Sequence, residues 1–255
     1  MRPEDLAGQV ILFPALNTPA VLASSRTSPL DGGNLNRAFP GDENGGPTAM
    51  IAHFIEAEIL PICDAAIDLH SGGKASFFAP CALATNCSDM GLAERNMDLA
   101  RALGLPLIWR LGALNDNRSL NSAAERQGVP MIAAELGGGG GIDPSITNQA
   151  ERGLRQCLQH LGVLAGNATL PPHPARVVEL IGPQASLFAT GTGLFDRAVA
   201  AGADVAKGDL AGMLHYICEP ERASEPVTFA SSGLVLAHSC RGLVQRGDML
   251  ARDVS

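Results

Sequence analysis

Three places in the chain combine residue types that could carry chemistry. The first is Asp68-Leu69-His70-Ser71-Gly72-Gly73. Alternate residues of an extended strand project to one face, so Asp68 and His70 share a side. A His at the carboxyl end of a parallel strand stands on the edge where such sheets place ligands. There it could hold a metal ion, with a nearby carboxylate orienting the imidazole. A hydrogen-bonded strand-end His is the plainer alternative.

The second place is Ala133-Ala134-Glu135-Leu136 followed by five glycines, Gly137 to Gly141. A carboxylate leaves an apolar run where the backbone becomes bare, and glycines let the main chain approach a substrate or adopt positive φ. Glu135 could act as a general base if burial raises its pKa, or be a salt-bridged residue at the root of a loop. The third is the loop from Arg26 to Gly41, which carries Arg26, Asn34, Asn36 and Arg37 with few competing charges. A guanidinium fork binds carboxylates in two places; an ordinary surface loop would have the same composition.

A fourth pattern, His53-Phe54-Ile55-Glu56, has the HxxE spacing of a zinc-binding helix. It falls on an amphipathic segment with Glu58 beside it, which suggests a solvated face and no metal. His160, His173, His215 and His238 lack metal-like spacing and are expected at the surface or hydrogen-bonded. No Gly-x-Ser-x-Gly elbow or paired Cys–His spacing supports a nucleophile.

The elements that must position these residues follow from the apolar pattern. Buried strands are expected at 8–16, 63–69, 105–111 and 129–134, the second leading into His70 and the last into Glu135. Helices are expected at 47–60, 89–103, 118–128 and 145–162, with Pro47 in a first turn and Gly104 and Gly128 at C-termini. Alternating strands and helices indicate an α/β domain with a mainly parallel sheet over 1–165. Residues 166–176 read as a linker. Residues 177–255, with Gly-Asp turns at 208–209 and 247–248, read as a small all-β domain.

The chain has 255 residues, 46% hydrophobic and 17% charged, with a formal net charge of -8. This composition suits a soluble globular protein. An acidic chain without a Lys/Arg block gains no counterion-release energy, so nucleic acid is not an expected partner. Nor is a membrane: no apolar stretch is long enough to span a bilayer, and the first residues lack the pattern of a signal peptide. The chain reads as cytoplasmic, its six cysteines as free thiols in a reducing compartment. The sequence leaves room for a homo-oligomer.

Taken in order, Asn-Leu-Asn-Arg-Ala-Phe-Pro-Gly at 34–41, Asp-Leu-His at 68–70 and Glu-Leu-Gly-Gly-Gly-Gly at 135–140 resemble the succinylglutamate desuccinylase/aspartoacylase family over nearly the whole chain. Pro-Ala-Leu-Asn at 14–17 and Ile-Asp-Leu-His-Ser-Gly-Gly-Lys at 67–74 are most similar to its subgroup that deacetylates N-acetyl-diaminobutyrate in ectoine breakdown. The resemblance implies a zinc-carboxypeptidase-like sheet flanked by helices, and zinc-dependent hydrolysis of the amide bond of a small N-acyl amino acid. It implies His70 as the third zinc ligand, Glu135 as the base that activates water, and Arg26 as the group that polarises the scissile carbonyl. Asn36 and Arg37 would hold the substrate carboxylate, and Asp68 would support the metal ligands from behind.

The family carries a His-x-x-Glu zinc pair upstream of the first strand read here, and no His precedes His53. The expectation is a chain that begins downstream of two of three ligands, lacks an early strand and helix, and exposes an apolar edge. The alternative is a metal-free relative that binds a small molecule without turning it over.

Overall fold

The structure, a computed structural model, describes residues 2–112, 115–167, 174–180, 182 and 185–255. Its residues gather into two compact units that interleave along the chain. One comprises Met1–Asp68, Ala82–Ala134 and Gln149–Ala175; the other comprises Leu69–Cys81, Glu135–Asn148 and Arg176–Ser255. Most of the expected linker, residues 168–173, lies outside the described residues.

The elements up to residue 160 are α1 (Thr18–Leu22), α2 (Pro47–Phe54), β1 (Ala66–His70), β2 (Ser76–Thr85), α3 (Met90–Leu103), β3 (Leu107–Leu111), α4 (Leu120–Gln127), β4 (Met131–Gly138) and α5 (Pro144–His160). Helices α2 to α5 and strands β1, β3 and β4 match the apolar periodicity. Helix α2 opens with Pro47 and runs on through a π turn at Ile55–Ile59. Asp89 caps α3 by accepting from Leu92 N, Ser119 caps α4 by accepting from Ser122 N, and both helices end on a left-handed glycine, Gly104 and Gly128. Only a residue without a Cβ takes that conformation cheaply.

Within the first unit, α3 turns Leu92, Leu99, Ala100 and Leu103 inward. Asn96, buried on the same helix, donates to the Thr85 carbonyl at 3.1 Å and accepts from Met131 N at 2.8 Å. One amide thus ties the end of β2 to the start of β4. In the sheet order β4 lies between β1 and β2, and β3 pairs with β2.

One local expectation fails. Residues 8–16 form no strand, and Val10, Ile11, Leu12 and Phe13 are exposed. An apolar run becomes a strand only where an edge accepts it. Pro14 lacks a donor, and among the described residues no strand pairs with this segment. Conversely, β2 escaped the sequence reading because Pro80 interrupts its apolar run.

From residue 176 the chain adds β5 (Arg176–Val178), β6 (Ser186–Phe188), β7 (Gly193–Arg197), β8 (Asp204–Val205), β9 (Leu210–His215), β10 (Glu225–Thr228), β11 (Gly233–Ser239), β12 (Leu243–Val244) and β13 (Met249–Val254). Strand β11 pairs antiparallel with β13, with β8 and, at Phe77↔His238, with β2. The sheet is therefore mixed, where a mainly parallel one was expected, because β11 enters it antiparallel to β2, β8 and β13. A separate antiparallel sheet runs β10-β9-β7-β12. Leu214, Phe229, Val235 and Leu250 pack in one core cluster. The two Gly-Asp turns are built alike: Asp209 accepts from Ala206 N at 2.8 Å and Asp248 from Gln245 N at 2.9 Å, with Gly208 and Gly247 at φ 93° and 90°.

Candidate active site

The first unit carries Arg26, Asn36, Arg37 and Asp68. Arg26 is exposed in a bend where Thr27 N donates to Ser25 Oγ. The loop after it is clamped by Asp31, whose carboxylate accepts from Thr48 N at 2.7 Å, Thr48 Oγ1 at 2.8 Å and Gly33 N at 2.9 Å. Those donors, the Thr48 amide first, hold the Asp31 carboxyl below its usual pKa. Asn36 and Arg37 follow on a single 3-10 turn, Leu35–Arg37.

Both of those side chains have partners. Asn36 Oδ1 accepts from Leu120 N at 2.9 Å, satisfying an orphan amide in the first turn of α4. Arg37 Nε lies 3.0 Å from Asp116 Oδ2. Asp116 also takes the Arg118 side chain and backbone amide, and those contacts, with Arg37 adding a smaller share, hold its pKa down at about 2. Asp116 was not singled out from the sequence. It sits in Asn115-Asp116-Asn117-Arg118, which reads as a turn, and its pairing with a distant arginine leaves no local signal.

The HxxE pattern also resolves here. Glu56 is not on a solvated face: it is buried and bound by Arg126 through Nε at 2.8 Å and Nη2 at 2.7 Å. The carboxylate is spoken for by a two-point ion pair, so the spacing reflects α2 packing against α4.

The second unit carries His70 and Glu135. On β1, Asp68 and His70 are half-buried while Leu69 between them is exposed, the alternation expected of residues sharing a face. Glu135 is half-buried on β4 and its Oε2 is shielded from solvent. The structure brings the segments following these two residues together. Gly72 N donates to Gly137 O at 3.0 Å, Gly140 N to Gly73 O at 2.9 Å and Gly139 N to Ser76 O at 3.2 Å. Here the glycines are required by contact. A Cβ on Gly138 would lie 2.0 Å from the Ser76 carbonyl oxygen, and one on Gly72 would lie 2.2 Å from it.

Strand β2 brings Cys81 beside Glu135. Burial, and then the Glu135 charge, push the Cys81 thiol well above its usual pKa. It stays a neutral thiol, which removes it as a nucleophile. All six cysteines are free. Among the described residues no three His, Cys, Asp or Glu side chains come together as a metal-binding group, and no helix is long and apolar enough to cross a membrane.

Three comparisons bear on this arrangement. Residues 1–161 match the model of the succinylglutamate desuccinylase/aspartoacylase catalytic domain. The chain is 35% identical over 253 residues to the N-alpha-acetyl-L-2,4-diaminobutyric acid deacetylase of Halomonas elongata, covering 98% of this chain and 73% of that protein. Its structure superposes on a succinylglutamate desuccinylase/aspartoacylase from Rhodobacter sphaeroides with TM-score 0.93 at 31% identity, covering 100% of this chain and 78% of the other. It superposes equally, with TM-score 0.93 at 34% identity, on the product-bound ectoine utilization protein EutE (DoeB) from Ruegeria pomeroyi, covering 98% and 76%.

Proposed function

Because the chain belongs to the succinylglutamate desuccinylase/aspartoacylase family, we propose that it takes part in hydrolysing the amide bond of a small N-acyl amino acid, N-acetyl-2,4-diaminobutyrate being the first substrate to try. The observation that carries this reading is the 35% identity to a diaminobutyrate deacetylase across nearly the whole chain; Arg26, Asn36, Arg37, His70 and Glu135 are the residues to which the resemblance gives roles. A zinc-carboxypeptidase-like catalytic domain over 1–165 and a β domain over 177–255 are part of the same proposal.

The roles follow from the chemistry each side chain offers. Glu135 takes a proton from the attacking water and returns it to the departing amine. Arg26 donates to the carbonyl oxygen as negative charge develops there, and a preorganised donor of that kind is worth roughly 3 kcal/mol. Arg37 and the Asn36 amide nitrogen hold the substrate carboxylate. Asp68 steadies the imidazole of His70 from the same face of β1.

Zinc is the cofactor the family resemblance implies, and His70 is the residue of this chain that would hold it. A catalytic zinc needs about three protein ligands, and the described residues do not bring three together. They do not complete a zinc site, so no step above is drawn through the metal. The same observation favours a second reading, a metal-free protein that binds the small molecule and leaves it intact.

One experiment separates the two readings. The chain is incubated with a panel of N-acyl amino acids, with and without added zinc, while free amine and bound metal are measured. Zinc uptake with release of amine supports the hydrolase. Binding of the intact N-acyl amino acid without turnover or zinc, also when the open reading frame is expressed with its upstream codons, supports the binding protein.

A further inference from the structure

Strand β11 lies alongside the turn that carries the proposed base. Phe77 and His238 are a direct cross-strand pair on β2 and β11, their rings stacked 9° from parallel with centroids 5.6 Å apart. The His238 Nδ1 is 2.9 Å from the Ser239 carbonyl, which can only accept, so Nδ1 carries the proton. The ring is buried. Phe77 also fills the space beside Gly137: a Cβ there would lie 3.3 Å from Phe77 Cε2 and 2.8 Å from Ile146 Cδ1. Gly137 stands two residues beyond Glu135, where the strand turns with φ at 69°.

The backbone repeats the connection. Ser239 pairs with Ser76, and Cys240 N donates to Ala75 O at 2.9 Å. The Ser76 carbonyl accepts from Gly139 N. Ser76 is therefore held by β11 on one side and closes the glycine turn after Glu135 on the other.

We infer that β11 positions Glu135, with His238 and Phe77 as positioning residues that fix the Gly137–Gly139 turn and thereby the direction of the carboxylate. The inference rests on the reading of Glu135 as the base. A turn that shifts carries the carboxylate with it, and a misplacement of about 1 Å can cost about 10²-fold in rate.

The test uses the full 255-residue chain and two variants, His238→Ala and His238→Phe, each checked for native circular dichroism. Backbone amide exchange is followed at Gly137, Gly139 and Gly140, and kcat and KM are measured on N-acetyl-diaminobutyrate with zinc added. In His238→Ala the Gly139 amide should exchange about tenfold faster, and kcat should fall about 10- to 100-fold with KM little changed. His238→Phe, which keeps a flat ring on Phe77, should restore both. Unchanged exchange in His238→Ala, or failure of a folded His238→Phe to restore it, would overturn the positioning role. If the parent chain hydrolyses nothing, also when the open reading frame is expressed with its upstream codons, the reading of Glu135 as base fails, while the exchange data still decide whether β11 holds the turn.

Discussion

Arg37 Nε meets Asp116 Oδ2 at 3.0 Å, so the arginine proposed to receive a substrate carboxylate already holds a carboxylate of its own chain. The contact engages Nε, while Nη1 donates to the Asn36 carbonyl at 2.5 Å, so two of the three guanidinium nitrogens are fixed by the chain itself. Asp116 therefore orients Arg37. Asp116→Asn should raise KM for an N-acyl amino acid about 2- to 5-fold, the scale of a partly exposed ion pair, with kcat nearly unchanged. The folded pKa of Asp116, about 2, is below its ordinary 3.8. Its contribution is thus complete above the unfolded value and is lost as pH falls through about 2. The KM difference between parent and variant should accordingly be constant from mildly acidic to neutral pH, and a pH series of KM checks this.

Glu135→Gln removes the proton acceptor and keeps the shape. Turnover should drop by about 10²- to 10⁴-fold. Substrate affinity should be retained, read by calorimetry on the same preparation. Undiminished turnover would remove Glu135 from the base role.

The sequence displayed helices and site segments better than it displayed neighbours. Helices α3 and α4 were legible because caps and terminal glycines are local signals: Asp89 and Gly104, Ser119 and Gly128. Strand β4 and its glycine turn were legible for the same reason. Asp116 beside Arg37 and His238 on Phe77 were not, because each contact joins residues far apart in sequence, and neither turn composition nor histidine spacing encodes it. Residues 8–16 misled because apolar content states a need for burial and does not supply a partner. The mixed sheet leaves no local signal, because β2 and β11, which pair antiparallel, lie far apart in sequence.

The Glu56–Arg126 pair gives a stability prediction independent of activity. Arg126→Met leaves a carboxylate whose side chain is 8% exposed without its two-point partner. Burial of an unpaired charge is costly, but Arg126 itself is 38% exposed and water can reach the gap. The expected loss is about 1–3 kcal/mol by urea denaturation. Turnover should be unaffected, since Glu56 serves packing; a fall in kcat beyond the loss of folded protein would return Glu56 to the candidate site.

His238 also makes stability pH-dependent. Burial, with a smaller push from Arg197, holds its folded pKa below the ordinary value of 6.5. Below that value the unfolded chain takes up a proton that the folded chain refuses, so stability falls with falling pH and levels off once the folded imidazole also protonates. His238→Phe has no such proton. Urea midpoints of the parent should decline between pH 7.5 and 5 (roughly the range in which histidine titrates), and those of the variant should decline less. Parallel declines would show that other groups govern the acid limb.

The apolar run Val10-Ile11-Leu12-Phe13 is exposed, Leu12 at 77%. It continues into an apolar groove lined by Phe13, Leu16, Met50, Ile51 and Phe54, all on the first unit. Contiguous apolar surface of this kind favours association. Leu12→Lys places a charge in the middle of the run. Its effect on unfolding free energy should stay within about 0.5 kcal/mol, because nothing around Leu12 is packed. Binding of an apolar dye should decrease, and light scattering should show less self-association at the same concentration. If Leu12→Lys instead unfolds the chain while Val10→Lys does not, Leu12 is packed in solution, and the exposed run is not what drives association.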